Sequence, residues 1–172
     1  MTVPIIAKGG GKQFVPAPAG TFRAVCVDVV DLGEMEQVWN GKPRKSHKIR
    51  IAWQIDQPME DGKLFVVSQM FTLSFHQKAG LRQMVESWFA REFSLEDETN
   101  GFDVESLLGQ SCIVTVQQVK REKGVFANVV AVSPLMNGMP QMLPKDYTRV
   151  SDRDITAQVD HADESDPDNV PF

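Results

Sequence analysis

The stretch Trp39–Trp53, WNGKPRKSHKIRIAW, holds Lys42, Arg44, Lys45, Lys48 and Arg50, with His47 as a sixth cation when protonated, and not one acid. Cations at that density neutralise phosphates, and an aromatic ring beside them stacks on a base without reading its sequence. The chemistry this points to is non-covalent: a grip on the unpaired strand of a nucleic acid, with the five lysines and arginines on phosphates and Trp39 as the stacking ring. A cationic strand edge also serves simply to keep a sheet soluble, and loop aromatics often pack on their own domain. Arg23, Lys63 and Phe71 complete the set of candidate contacts, although an aromatic residue at an alternate position of a strand, as Phe71 is, more often belongs to the core.

The other reactive residue types do not assemble into a catalyst. His47, His76 and His161 are isolated, and no Ser/His/Asp or Cys/His arrangement has a recognisable local context. No His/Cys spacing fits zinc, and the acids Glu96-Asp97-Glu98 lack the further ligands that a fixed cation site requires. Gly9-Gly10-Gly11-Lys12 is followed by Gln13, which removes the phosphate-loop reading. Cys26 and Cys112 lie in apolar alternating stretches, where a thiol acts as a small hydrophobe. The expectation is a binding protein with neither enzyme activity, cofactor nor metal.

The charge distribution singles out the end of the chain. Residues 1–133 contain 15 Lys+Arg and 15 Asp+Glu, whereas residues 134–172 contain 3 and 8, so the whole net charge of −5 sits in the last segment. Its final residues read DESDPDNVPF, with five acids and no Lys or Arg from Asp160 onward. A segment this acidic and this poor in apolar residues cannot offset its ordering entropy, so disorder is expected. A terminal aromatic ring suits a small apolar pocket on a partner, with its carboxylate on an arginine and the preceding acids on a basic rim.

The elements that position these residues follow from periodicity. At 172 residues and 42% hydrophobic composition, one domain with a real core is expected, plus extra segments. Strands are predicted over 22–32, 48–56, 64–75, 111–119 and 125–132, with Ile49, Ile51, Trp53 and Ile55 alternating onto one face and Lys48 and Arg50 onto the other. Leu81, Met84, Val85, Trp88 and Phe89 fall at helical spacing, with Ser74 and Gln77 placed like a capping box. The acidic stretch after that helix reads as a loop, followed by a helical turn near 103–108. The order β-β-β-α-β-β is that of the five-stranded OB-fold barrel, and equally that of a five-stranded antiparallel sheet with one packed helix. No apolar run reaches the length of a membrane span, and residues 1–20 do not read as a signal peptide, so a cytoplasmic protein with no membrane partner is expected.

Asp166-Pro167-Asp168-Asn169-Val170-Pro171-Phe172 resembles the acidic tip of bacterial-type single-stranded DNA-binding proteins, with Asp166 and Asp168 as acids, Val170 as the aliphatic residue, then Pro171 and Phe172. The stretches PAPAGTFRAVCVDVVDLG, FTLSFHQKAGLRQMVESW and GVFANVVAVSPL look like the divergent single-stranded DNA-binding proteins of bacteriophages, a likeness spanning most of residues 16–140. The resemblance implies sequence-independent binding of single-stranded DNA during replication, recombination or repair in a bacterial host cell. It also implies recruitment of replication and recombination proteins by the tip. The organisation expected is a flexible arm over 1–20, an OB-fold domain over 21–133, a linker over 134–159 and a docking tail over 160–172. Leu135–Tyr147, LMNGMPQMLPKDY, either folds back on the barrel or serves self-association into a homo-oligomer. Two other readings stand beside this one: a recombination-mediator or scaffold module whose barrel binds protein, and an RNA chaperone of the cold-shock kind.

Overall fold

β-branched and aromatic residues drive two long antiparallel strands, β1 (Gly20–Trp39) and β2 (Lys42–Pro58), which the dipeptide Asn40-Gly41 joins. Both turn residues have positive φ, 53° and 75°, the conformation a two-residue hairpin needs and one that Asn and Gly tolerate. The computed structural model describes residues 15–152. The two strands are far longer than the alternation alone predicts. Trp39, expected in a loop, closes β1 in register with Lys42. β3 (Leu64–Thr72) pairs with β2, and after the helical segments β4 (Ser111–Arg121) pairs with β1 and with β5 (Gly124–Ser133).

The result is one five-stranded antiparallel sheet in the order β3-β2-β1-β4-β5. The mainly β class and the helix between the third and fourth strands match the expectation, but the barrel does not close. Among the described residues β3 and β5 form no ladder, although Cα atoms of the two strands approach within 8 Å. Ile49, Ile51, Trp53 and Ile55 all point into the core, as the alternation predicted, beside Ala24, Cys26, Val114 and Val116. Both cysteines are buried among these residues, and burial pushes the Cys26 thiol up to about 12 and raises that of Cys112 as well.

The helix α1 (Gly80–Phe89) covers the inner face with Leu81, Met84, Val85 and Trp88. The Trp88 ring packs 5.9 Å from that of Trp53, and its indole N–H donates to Ser111 O at 3.1 Å. Ser74 and Gln77 do not cap it. Ala79 is the N-cap and no side chain caps the helix, because the chain first makes a turn that carries Phe75 into a ring cluster with Phe93 and Phe102. The capping box lies later, at Ser94 and Asp97, and it converts the expected acidic loop into a second helix, α2 (Leu95–Asn100). Between the helices the nearly buried guanidinium of Arg82 donates to Phe75 O, Phe93 O and the Glu98 carboxylate, tying loop, helix and α2 together.

The expected linker is in large part a strap across the outer face of the sheet. Met142 buries against Val25, Val27 and Ala52, and Gln54 exchanges two hydrogen bonds with the backbone of Lys145. Asp28, only 1% exposed, accepts from the Tyr147 hydroxyl at 2.8 Å, Arg149 Nε at 3.1 Å and Val150 N at 2.8 Å. Of the two fates left open for Leu135–Tyr147, the chain takes the first and folds back on the sheet.

A candidate nucleic-acid interface

The distal parts of β1 and β2 pair only with each other, from Met35–Ser46 to Trp39–Lys42, and form a two-stranded ribbon beyond the rest of the sheet. Cross-strand neighbours share a face, and successive residues alternate between faces. Met35 pairs with Ser46 and Gln37 with Arg44 on one face; Glu34 pairs with His47 and Glu36 with Lys45 on the other. The register therefore sorts a stretch that carries no acid of its own. Lys42, Arg44 and Lys48 fall on a face free of carboxylates, whereas Lys45 lies opposite Glu36 and His47 bonds to Asp31. Hydrogen bonds from the Gly33 N–H and from His47 hold the Asp31 carboxyl below its ordinary range.

Arg44 and Lys48 line a groove of about 1290 Å³ along the unclosed seam. Its walls are Gln69–Thr72 of β3 and Val130–Val132 of β5, and its floor is one side of α1 with the turn before it, which together contribute Ser74, His76, Lys78, Gln83 and Ser87. The Ser87 hydroxyl donates to Val132 O and fixes the helix against β5. Gln69, Met70 and Val130 also line a second cavity of about 570 Å³, which carries the groove on toward Arg121 and Phe126 near the β4–β5 turn. Among the described residues no Asp or Glu lines either part, while Arg44, Lys48, Lys78 and Arg121 do. Lys48 Nζ donates to Thr72 Oγ1 at 2.7 Å, which holds its ammonium at the β3 rim.

β3 also offers main-chain groups. Leu73 N donates to His47 O at 2.7 Å, so the antiparallel alternation turns the N–H and C=O of Ser68 and Met70 away from β2 and toward the seam.

The sequence candidates divide accordingly. Arg44, Lys48 and Phe71 meet at the groove, though Phe71 is only 6% exposed and belongs mainly to the core. Lys42 shares their ribbon face, and Arg50 follows Lys48 on the same face of β2, opposite Met70. Arg23 is engaged elsewhere, paired with Asp56 at 2.8 Å and donating to Pro140 O beside the strap. Lys63 sits in the β2–β3 turn, away from the groove. The tip residues Asp166, Asp168, Val170, Pro171 and Phe172 lie outside the described residues. Lys78, His76, Arg121 and Phe126 were not among the sequence candidates because they come from a turn before α1 and from the β4–β5 hairpin, which only the approach of the two sheet edges brings beside β3. Among the described residues no group of three His, Cys, Asp or Glu gathers where a metal ion would sit, and no helix is long and apolar enough to cross a membrane.

No family model and no curated protein matches the sequence.

Proposed function

We propose that this chain binds single-stranded DNA without sequence preference along the β3–β5 groove and recruits replication or recombination proteins through its terminal Asp-Asn-Val-Pro-Phe. The observation that carries the reading is the composition of the groove: four permanent cations from three separate segments and no acid among the residues that line it. A phosphate chain entering there meets Arg44 and Lys48, then Lys78, then Arg121, each contributing by releasing condensed counterions. Phe126 and Met70 offer flat apolar surface for bases, and the outward N–H groups of β3 add donors for phosphate oxygens.

The strand order β3-β2-β1-β4-β5, with the helix that follows β3 packed against β3 and β5, supports an OB-type arrangement whose last seam is left open for ligand. The seam width argues against a peptide strand as the occupant. A strand inserted between β3 and β5 needs two ladder spacings, roughly 10 Å in all, and the edges already come within 8 Å of each other. Side-chain-lined contact with a polynucleotide has no such requirement.

Titration of fluorescent oligothymidine, oligouridine and duplex DNA across a range of salt concentrations tests the reading. Tight, salt-dependent binding that favours the unpaired deoxy strand is expected; equal affinity for duplex, or no binding at low salt, refutes it.

A further inference from the structure

Among the described residues the groove leaves a built pocket unused. Phe75 stacks on Phe102 with centroids 5.2 Å apart, Phe93 meets Phe75 edge-on at 4.9 Å, and with Phe89 these rings line a cavity of about 400 Å³ on the other side of α1 from the groove. Phe89 remains 39% exposed and the neighbouring Leu95 78% exposed. Apolar surface of this kind gains roughly 25 cal/mol for each Å² that is covered.

Its surroundings select the covering group. Between Glu86 and Glu105 the chain carries seven acids and one base, Arg91. That base is already committed, with its guanidinium 4.6 Å from the centroid of the Phe93 ring and 3.7 Å from the Asp97 carboxylate. Both the anionic carboxy-terminal residues and a phosphate chain are disfavoured there; an apolar segment flanked by lysines is favoured.

The chain contains one. Residues 1–14, MTVPIIAKGGGKQF, lie outside the described residues; they hold Lys8 and Lys12, no acid, and the adjacent pair Ile5-Ile6. The chain enters the described region beside β4, where Ala17 O accepts from Gln118 Nε2. Gln110, which lines the aromatic cavity, immediately precedes that strand, eight residues before Gln118 and about 26 Å away at the strand rise. The ten residue steps from Ile5 to Val15, the first described residue, span up to roughly 35 Å.

We propose that Ile5 and Ile6 dock in this aromatic cavity of their own molecule, with Lys8 against the carboxylates of Glu92 and Glu96. The docked segment buttresses the carboxy-terminal end of the helix whose opposite side floors the groove.

The test uses the full chain without DNA. A nitroxide is attached at Thr2→Cys, which labels selectively because Cys26 and Cys112 are buried, and amide intensities are compared before and after its reduction. Phe89, Phe93, Gly101 and Phe102 are expected to lose most of their intensity, and to regain it in the Ile5→Asp/Ile6→Asp double variant. Uniform intensity, loss concentrated along the groove, or loss that survives the double variant overturns the proposal. A mixture of nitroxide-labelled chain at natural isotope abundance with unlabelled ¹⁵N chain must show no such loss; broadening there assigns the segment to a second copy and overturns docking within one molecule.

Discussion

The hydroxyl of Tyr147 donates to Oδ2 of Asp28 at 2.8 Å, bridging 119 residues of chain and fastening a strap over a carboxylate that lies under the outer face of the sheet. Arg149 and the Val150 N–H complete the coordination of that carboxylate. Tyr147→Phe removes one hydrogen bond to a charged acceptor, so a loss of about 1.5–3 kcal/mol is expected. Urea denaturation followed by tryptophan fluorescence measures it; an unchanged midpoint contradicts the clamp.

The same carboxylate makes stability depend on pH. Burial raises the Asp28 pKa, but the hydrogen bonds from Val150 N–H, Tyr147 and Arg149 outweigh it and hold the group below its ordinary value. A carboxylate depressed in the folded state contributes stability that is fully present above its unfolded pKa of about 3.9 and lost as pH falls through the folded value. The Tyr147→Phe destabilisation is therefore expected to be full at pH 7 and to shrink below about pH 4. Denaturation midpoints of both proteins between pH 7 and pH 3 provide the comparison.

The register of the ribbon separates lysines that the sequence treats alike. Lys78→Ala or Lys48→Ala is expected to reduce the slope of log affinity against log salt by about 0.7 each, one phosphate contact to a single strand. Lys45→Ala, on the face with Glu36, leaves the slope nearly unchanged. Equal effects from Lys48→Ala and Lys45→Ala would show that the two faces of β2 do not sort the contacts.

Phe126 and Phe71 are expected to fail in different ways. Phe126→Ala weakens oligothymidine binding by about 1–3 kcal/mol if a base stacks there, with little change in melting temperature. Phe71→Ala removes a core ring and destabilises the fold by about 3–5 kcal/mol. Calorimetry alongside anisotropy titration distinguishes the two.

Truncation after Gln158 deletes five acids and the Val-Pro-Phe end. Modestly tighter single-strand binding at low salt is expected, because a tethered polyanion no longer competes for the groove, together with complete loss of partner recruitment. Recruitment that persists in a pull-down rules out the terminal segment as the docking element.

Local periodicity determined a good deal of this protein by itself. Ile49, Ile51, Trp53 and Ile55 announce a buried strand face, Leu81 to Trp88 a helix with one apolar side, and the strand order with its central helix the mainly β class; each is a short-range pattern set by the geometry of backbone and side chain. The partition of charge, neutral to residue 133 and acidic beyond, is likewise a property of the linear chain. Tertiary structure alone decided the rest. The 42–50 cations looked like one track until pairing with β1 placed Glu36 across from Lys45 and left Arg44 and Lys48 facing the seam. The supposed linker became a strap because a single buried carboxylate, Asp28, had to find donors, and Tyr147, Arg149 and Val150 supply them from more than a hundred residues away. Lys78 and Arg121 joined the groove only because α1 and the β4–β5 hairpin fold against β3, a relation between distant segments that no local pattern encodes.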